Sequence, residues 1–360
     1  MHRFRIALLA TVSLAFQAVA CADEPPVDLP SEPGPVRGLM LAQQSSGTDA
    51  LLQAVSPVTD EIVWVSGHDA TYAHTADGGR TWTAAVMPDA EGLQFRDVAA
   101  FNERTAYLMS AGTGALSRIY RTDDGGRSWA LQYTADQADA FLDCIDFWDV
   151  NRGLAYGDAI DGVPFLLITG NGGATWERVP AEALPAAQDG EGGFAASGTC
   201  VTALPDGRAW VAMGNAERAR VLGTSDYGRT WAVTDVPVVG GDAAGLTTVQ
   251  VMSDGSGMAL GGQIGQDSLR TDNVAITTDG GVTWTAGGTL IMEGPVYGSA
   301  LLEGGAAVAV GPRGLDWSAD GGGTWQSSVT LTYWAVAFSS SGSGWAVGPG
   351  GRITKLSFMR

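Results

Sequence analysis

The chain has 360 residues, 45% of them hydrophobic and only 16% charged, with 51 glycines, so it carries material for a large core and many turns rather than a disordered chain. Thirty-nine acidic residues against 20 basic ones give a formal charge of −19. With no basic run to offset it, that charge excludes a nucleic-acid phosphate backbone as a natural partner.

Residues 1–20 read as an export signal, with Arg3 and Arg5 as the charged start and Ile6 to Ala20 as a mostly apolar stretch ending in small residues. The stretch is too short to span a bilayer. Two processing sites overlap there. Ala18-Val19-Ala20 fits an A-x-A peptidase site, and the same residues followed by Cys21 resemble a lipobox with Cys21 lipidated, although Ala18 stands where Leu is usual. Residues 21–35 are rich in proline and acid and suit an extended tether. The expected location is the periplasm or, when lipidated, the outer membrane, with a lipid anchor as the only membrane contact.

From residue 36 to 358 the chain is repetitive. One eight-residue pattern occurs six times, around Asp77, Asp124, Asn171, Asp226, Asp279 and Asp320, each time with Thr or Ser two residues before and Trp five residues after. The acid or amide can accept backbone N–H groups and the following glycines can take positive φ, which is hairpin-turn chemistry. Four short apolar runs surround each turn, as in Phe95 to Phe101, Thr105 to Ser110, Ser117 to Thr122 and Ser128 to Tyr133. Four antiparallel strands repeated at this interval, without helical patterning between them, predict an all-β propeller.

A second marker sets the blade number. The second strand of each repeat ends in glycine, at Gly67, Gly112, Gly157, Gly214, Gly261, Gly311 and Gly348, seven times in all. The last repeat, ending at Phe358, supplies only three strands. Val36 to Gln44, with Leu39 and Leu41 alternating, can supply the fourth and pair the two ends of the chain. The expectation is therefore a seven-bladed propeller of four-stranded antiparallel blades closed by an N-terminal strand.

The repeated turns resemble the Asp-box, or bacterial neuraminidase repeat, over roughly residues 36 to 358. Among families carrying it, the photosystem II assembly-factor propellers are most similar, sharing seven blades and strands of the type Gly344-Trp-Ala-Val-Gly348. That resemblance implies a non-catalytic protein that binds a partner protein or envelope complex. The alternative is a glycoside hydrolase acting on a glycan in the funnel. Sialidases resemble one another in an Arg-Ile-Pro segment ahead of the first box, where this chain reads Val36-Arg37-Gly38. Other glycosidases need two carboxyls facing each other across a sugar, and acids placed on inner strands or their loops include Asp97, Asp143, Asp146, Asp158, Asp161, Glu191 and Glu293.

The candidate binding set is a mixed-charge pocket of repeats two to four: Arg96, Asp97, Asp143, Asp146, Glu191, Arg218 and Arg220. The competing reading has the arginines pairing with neighbouring acids to tie blades together. Trp148 and Trp334, nearest to strand ends, are candidate stacking platforms. Cys144 and Cys200 fall in equivalent positions of neighbouring repeats and can form a disulfide once exported, or remain buried thiols. No cofactor is expected. The box aspartates lack the oxygen spacing of a calcium loop and His68 and His74 form no zinc motif, so no metal is expected either.

Overall fold

The computed structural model describes residues 36–360, so the expected signal, tether and Cys21 lie outside the described residues. Seven four-stranded antiparallel sheets are arranged in a ring, a seven-bladed β-propeller. The inner strands, in chain order, are Leu52–Pro57, Gln94–Ala100, Leu142–Phe147, Val201–Ala203, Ala244–Val251, Gly298–Leu301 and Ala335–Phe338; they define blades 1 to 7. Within blades 1 to 6, each later strand in sequence lies one step farther from the centre.

Blade 7 is the exception that closes the ring. Its outermost strand is Gly38–Ser45 from the other end of the described chain, paired in register from Gly38 opposite Met359 to Ser45 opposite Arg352. Leu39 and Leu41 pack against the cluster containing Leu356, Val336 and Trp317. Pairing at this edge satisfies the backbone groups that an open sheet would leave exposed.

The core lies between blades, because each sheet is apolar on both faces and only a neighbouring sheet can cover it. Trp64, Phe95 and Leu108 fill the space between blades 1 and 2, and Trp345, Val63 and Leu52 fill that between blades 7 and 1. Side chains of the inner strands also bond across the seams. Ser56 Oγ accepts the Ala100 amide at 3.0 Å, Thr202 Oγ1 donates to the Val249 carbonyl at 2.7 Å, and Thr247 Oγ1 donates to that of Val296 at 2.8 Å.

The inner strands begin with a repeated irregularity. Register shifts between Leu52 and Ala54, Phe95 and Asp97, Leu142 and Cys144, and Leu246 and Thr248 leave one extra residue in each strand: Gln53, Arg96, Asp143 and Thr247. By the same register Tyr297 and Trp334, whose amides bond to Val310 and Val347, hold this position in blades 6 and 7. Such bulges turn a side chain out of the regular pleat.

The marker glycines owe their identity to this entry. A Cβ at Gly67 would lie 2.0 Å from the Leu51 carbonyl oxygen, and one at Gly157 would lie 2.1 Å from that of Phe141. The register differs from the expected marker in two blades. In blade 2 Ser110 stands opposite Phe95, as Gly67 stands opposite Leu52 in blade 1, with Gly112 two residues beyond it, and in blade 4 Gly214 forms isolated bridges with Gly192 and Gly245.

Candidate functional site

Two faces differ in what they carry. The six repeated turns join third and fourth strands on one face, where the first hydroxyl donates to the acid and the acid receives the amide and hydroxyl four residues on. For Asp77 these bonds measure 2.8 Å from Thr75, and 2.9 and 2.7 Å from Thr81. The hydrogen bonds hold Asp77, Asp124 and Asp279 at about 2, below the usual carboxylate value, and also lower Asp226 and Asp320. Asn171 makes the corresponding contacts with Thr169 and Thr175 through its amide. These side chains are committed to local turns.

The opposite face holds the mouth of the central channel, where the inner strands begin. Its floor is a segment of the loop between blades 3 and 4. Gln53 of blade 1 donates to the Ala196 carbonyl at 3.5 Å, and Arg96 of blade 2 donates to that of Ala195 at 3.3 Å. Gly298 of blade 6 runs so close that a Cβ there would lie 2.9 Å from the Ser197 side chain. A segment between blades 3 and 4 that touches blades 1, 2 and 6 crosses the axis. Ala195, Ala196 and Ser197 are buried in consequence. Residues 193–199 therefore plug the channel.

Both ends of the plug are fixed. On entry, the buried Glu191 carboxylate is paired with Arg220 through Nε at 2.7 Å and through Nη2, while Gln188 donates to it from its backbone and its side chain. At the exit, Cys200 is disulfide-bonded to Cys144, with Cα atoms 6.0 Å apart. Asp158 accepts the Gly193 amide at 3.1 Å. Asp143 lies against the same glycine, its Oδ2 buried without a partner. Burial, and then the neighbouring Asp158, push the Asp143 carboxyl well above its usual value. Arg96 opposes that shift only in part.

The expected set is thus brought together only in part. Arg96, Asp143, Glu191 and Arg220 surround the mouth and plug, with Asp158 beside them. Asp97 and Asp146 are committed to backbone amides: Asp97, which lies against Gly198 of the plug, accepts the Val98 and Ile145 amides, both at 2.7 Å, and Asp146 accepts those of Phe147 and Ala203, both at 2.8 Å. Each ties its blade to the next because a buried carboxylate needs donors and the neighbouring strand supplies them. Burial raises both carboxyls, Asp146 to about 6. Arg218 points outward to a 2.6 Å pair with Asp235, both exposed.

Of the tryptophan platforms, Trp148 is buried and donates to the Arg208 carbonyl at 2.9 Å, so it is core. Trp334 is half-buried at the mouth and stacked on Tyr297, with ring centroids 4.3 Å apart. Glu293 is exposed beside Arg270 at 3.6 Å. Tyr297, Gln53 and Gln94 are mouth residues that sequence reasoning missed. The 55-residue spacing between Trp176 and Trp231, the longest of the series, was the available signal for the plug.

No family model matches the chain and no curated protein matches it. Solved structures do. A structure described as YCF48 bound to D1 peptide is 17% identical, with a TM-score of 0.62, covering 91% of this chain and 98% of that one. A streptogramin B lyase is 14% identical with a TM-score of 0.61, covering 89% and 98%. The GH74 xyloglucanase of Xanthomonas campestris is 17% identical with a TM-score of 0.57, covering 88% of this chain and 53% of its own. At these identities the chain is similar to a binding protein, a lyase and a glycosidase alike, and what they share with it is the propeller fold.

Proposed function

We propose that this chain is an exported, non-catalytic propeller that binds a partner protein or envelope complex at the plugged mouth, in the manner of an assembly factor. The observation that carries the reading is the plug. Residues 193–199 close the channel beneath the mouth: the Ala196 and Ala195 carbonyls accept from Gln53 and Arg96, Asp158 accepts the Gly193 amide, and Asp143 is buried against the same glycine. A glycosidase needs two carboxyls free to face each other across a sugar. Here Asp97 and Asp146 hold seam amides and Glu191 is paired with Arg220. The structural likeness to a propeller described as bound to a peptide adds support.

In this reading the six turns are Asp-boxes that build blades. Cys21 is the lipidated residue, and residues 21–35 tether the propeller to the membrane. The test is a pull-down of the tethered protein from its own envelope, run beside a panel of glycosidase substrates. A co-purifying protein complex without turnover is expected, and turnover of a glycan would overturn the reading. Replacement of Cys21→Ser is expected to release the protein from membranes; unchanged fractionation would refute the anchor.

A further inference from the structure

The residues around the mouth divide into two chemically distinct halves. On one side is Arg96, held by the Gln94 side chain and by the Ala195 carbonyl. These are neutral acceptors, and among the described residues no carboxylate forms an ion pair with it. Asp143 supports the charge of Arg96 without pairing with it, and burial pushes its own carboxyl well above the usual value. Burial, and then Arg96 itself, lower the pKa of His68 on the adjacent loop of blade 1. A half-buried guanidinium is thus oriented without being neutralised, which favours a carboxylate brought by a ligand.

On the other side, blades 6 and 7 present Trp334 stacked on Tyr297. The loops of the same face expose Leu331, Ile291 and Leu269, at 41%, 50% and 44% of their full accessibility. Two of these loops are tied together, since Gly294 donates to the Leu269 carbonyl and Arg270 to that of Ile291. Large apolar side chains exposed on loops of the face that carries a partly exposed tryptophan have the composition of a protein-binding surface.

We propose that the mouth binds an extended peptide segment of a partner protein, setting one carboxylate against Arg96 and an aromatic or large aliphatic side chain against Trp334, above the plug. This rests on the binding function proposed above and adds to it a recognition chemistry. The chain's net charge of −19 repels a uniformly acidic segment. The motif is therefore a lone acid among neutral and apolar residues.

The test is selection of a displayed random-peptide library on the purified full-length protein. Selected peptides are expected to carry Asp or Glu near an aromatic or large aliphatic residue. Arg96→Gln is expected to weaken them about tenfold and remove the acidic preference, and Trp334→Ala to weaken them about tenfold and remove the aromatic one. Arg96→Lys retains the charge and should recover part of the binding, as should Trp334→Phe. Because Arg96 also holds the plug, each variant is compared at matched thermal stability. Should Arg96→Gln fail to fold, Arg96→Lys and Trp334→Ala still decide the matter by retained and lost binding. Peptides lacking the acid and apolar pair, or unmoved by these replacements, would overturn the motif and leave the protein-binding function standing. Selection of no peptide, with a glycan bound instead, would overturn both.

Discussion

Glu191 and Arg220 show how strongly a single pair constrains this molecule, because both side chains are out of water, at 1% and 10% exposure. Removing one leaves the other charged and buried, so Arg220→Ala is expected to destabilise by about 3–5 kcal/mol in denaturant unfolding, and joint replacement by Arg220→Met and Glu191→Leu by much less. Equal losses from the single and joint replacements would show that the pair does not act as a unit. Titration gives a second residue-scale prediction with two opposed limbs. The carboxyls of Asp77, Asp124 and Asp279 fall from the ordinary 3.8 to about 2 on folding, so the stability they contribute is present above pH 4 and lost as pH falls toward 2. Asp146 moves the other way, to about 6, so its contribution is present below pH 4 and lost as pH rises through 6. The thermal midpoint is therefore expected to peak near pH 4–5 and decline on both sides. Asp146→Asn should be less stable at the peak, since one amide loses its acceptor, and should flatten the decline between pH 4 and 6. A decline as steep in that variant would assign the limb to other groups.

At the scale of elements, the plug is the segment whose form follows least from local sequence. Ala195, Ala196 and Ser197 have no periodicity that marks them for burial; they are buried because the axis of a seven-membered ring leaves space that small residues can fill. The disulfide that ends the plug closes 56 residues of chain. By loop entropy, its removal in a Cys144→Ser, Cys200→Ser double variant is expected to lower stability by about 4 kcal/mol, read as a shift in the denaturant midpoint that reductant reproduces in the parent protein. A midpoint unmoved by either would show that the ring alone holds the plug. The repeated turns and the strand pattern were legible because they depend on neighbours within eight residues. Asp97 and Asp146 were read as pocket residues because nothing local distinguishes an acid that receives the next blade's amides from one that faces a ligand. Only the placement of Ile145 and Ala203 shows which amides they accept.

For the whole molecule, closure follows from a count: seven glycine markers against six turns implied a missing strand, and Gly38–Ser45 supplies it beside Arg352–Met359. Deleting residues 36–45 exposes that edge along its length. The truncated protein is expected to elute as aggregates in size-exclusion chromatography and to melt at lower temperature; a monomer of unchanged stability would show the strand dispensable. The chemistry of the mouth was less legible than the ring. Arg96 could be named from the sequence, but its bond to the plug carbonyl, with no acidic partner among the described residues, arises from blades and a loop far apart in the chain, as does the pairing of Tyr297 with Trp334. The same fold supports binding and catalysis in other proteins, so the surface used by this chain decides between them. The most direct measurement is photo-crosslinking in the native cell, with the reactive residue placed at Ile291 or Leu331 on the mouth face and at Arg80 or Arg127 on the opposite face. The account predicts a protein adduct from the mouth positions that Arg96→Gln removes, and none from the opposite face. Adducts confined to Arg80 and Arg127, or adducts from the mouth indifferent to Arg96, would contradict it.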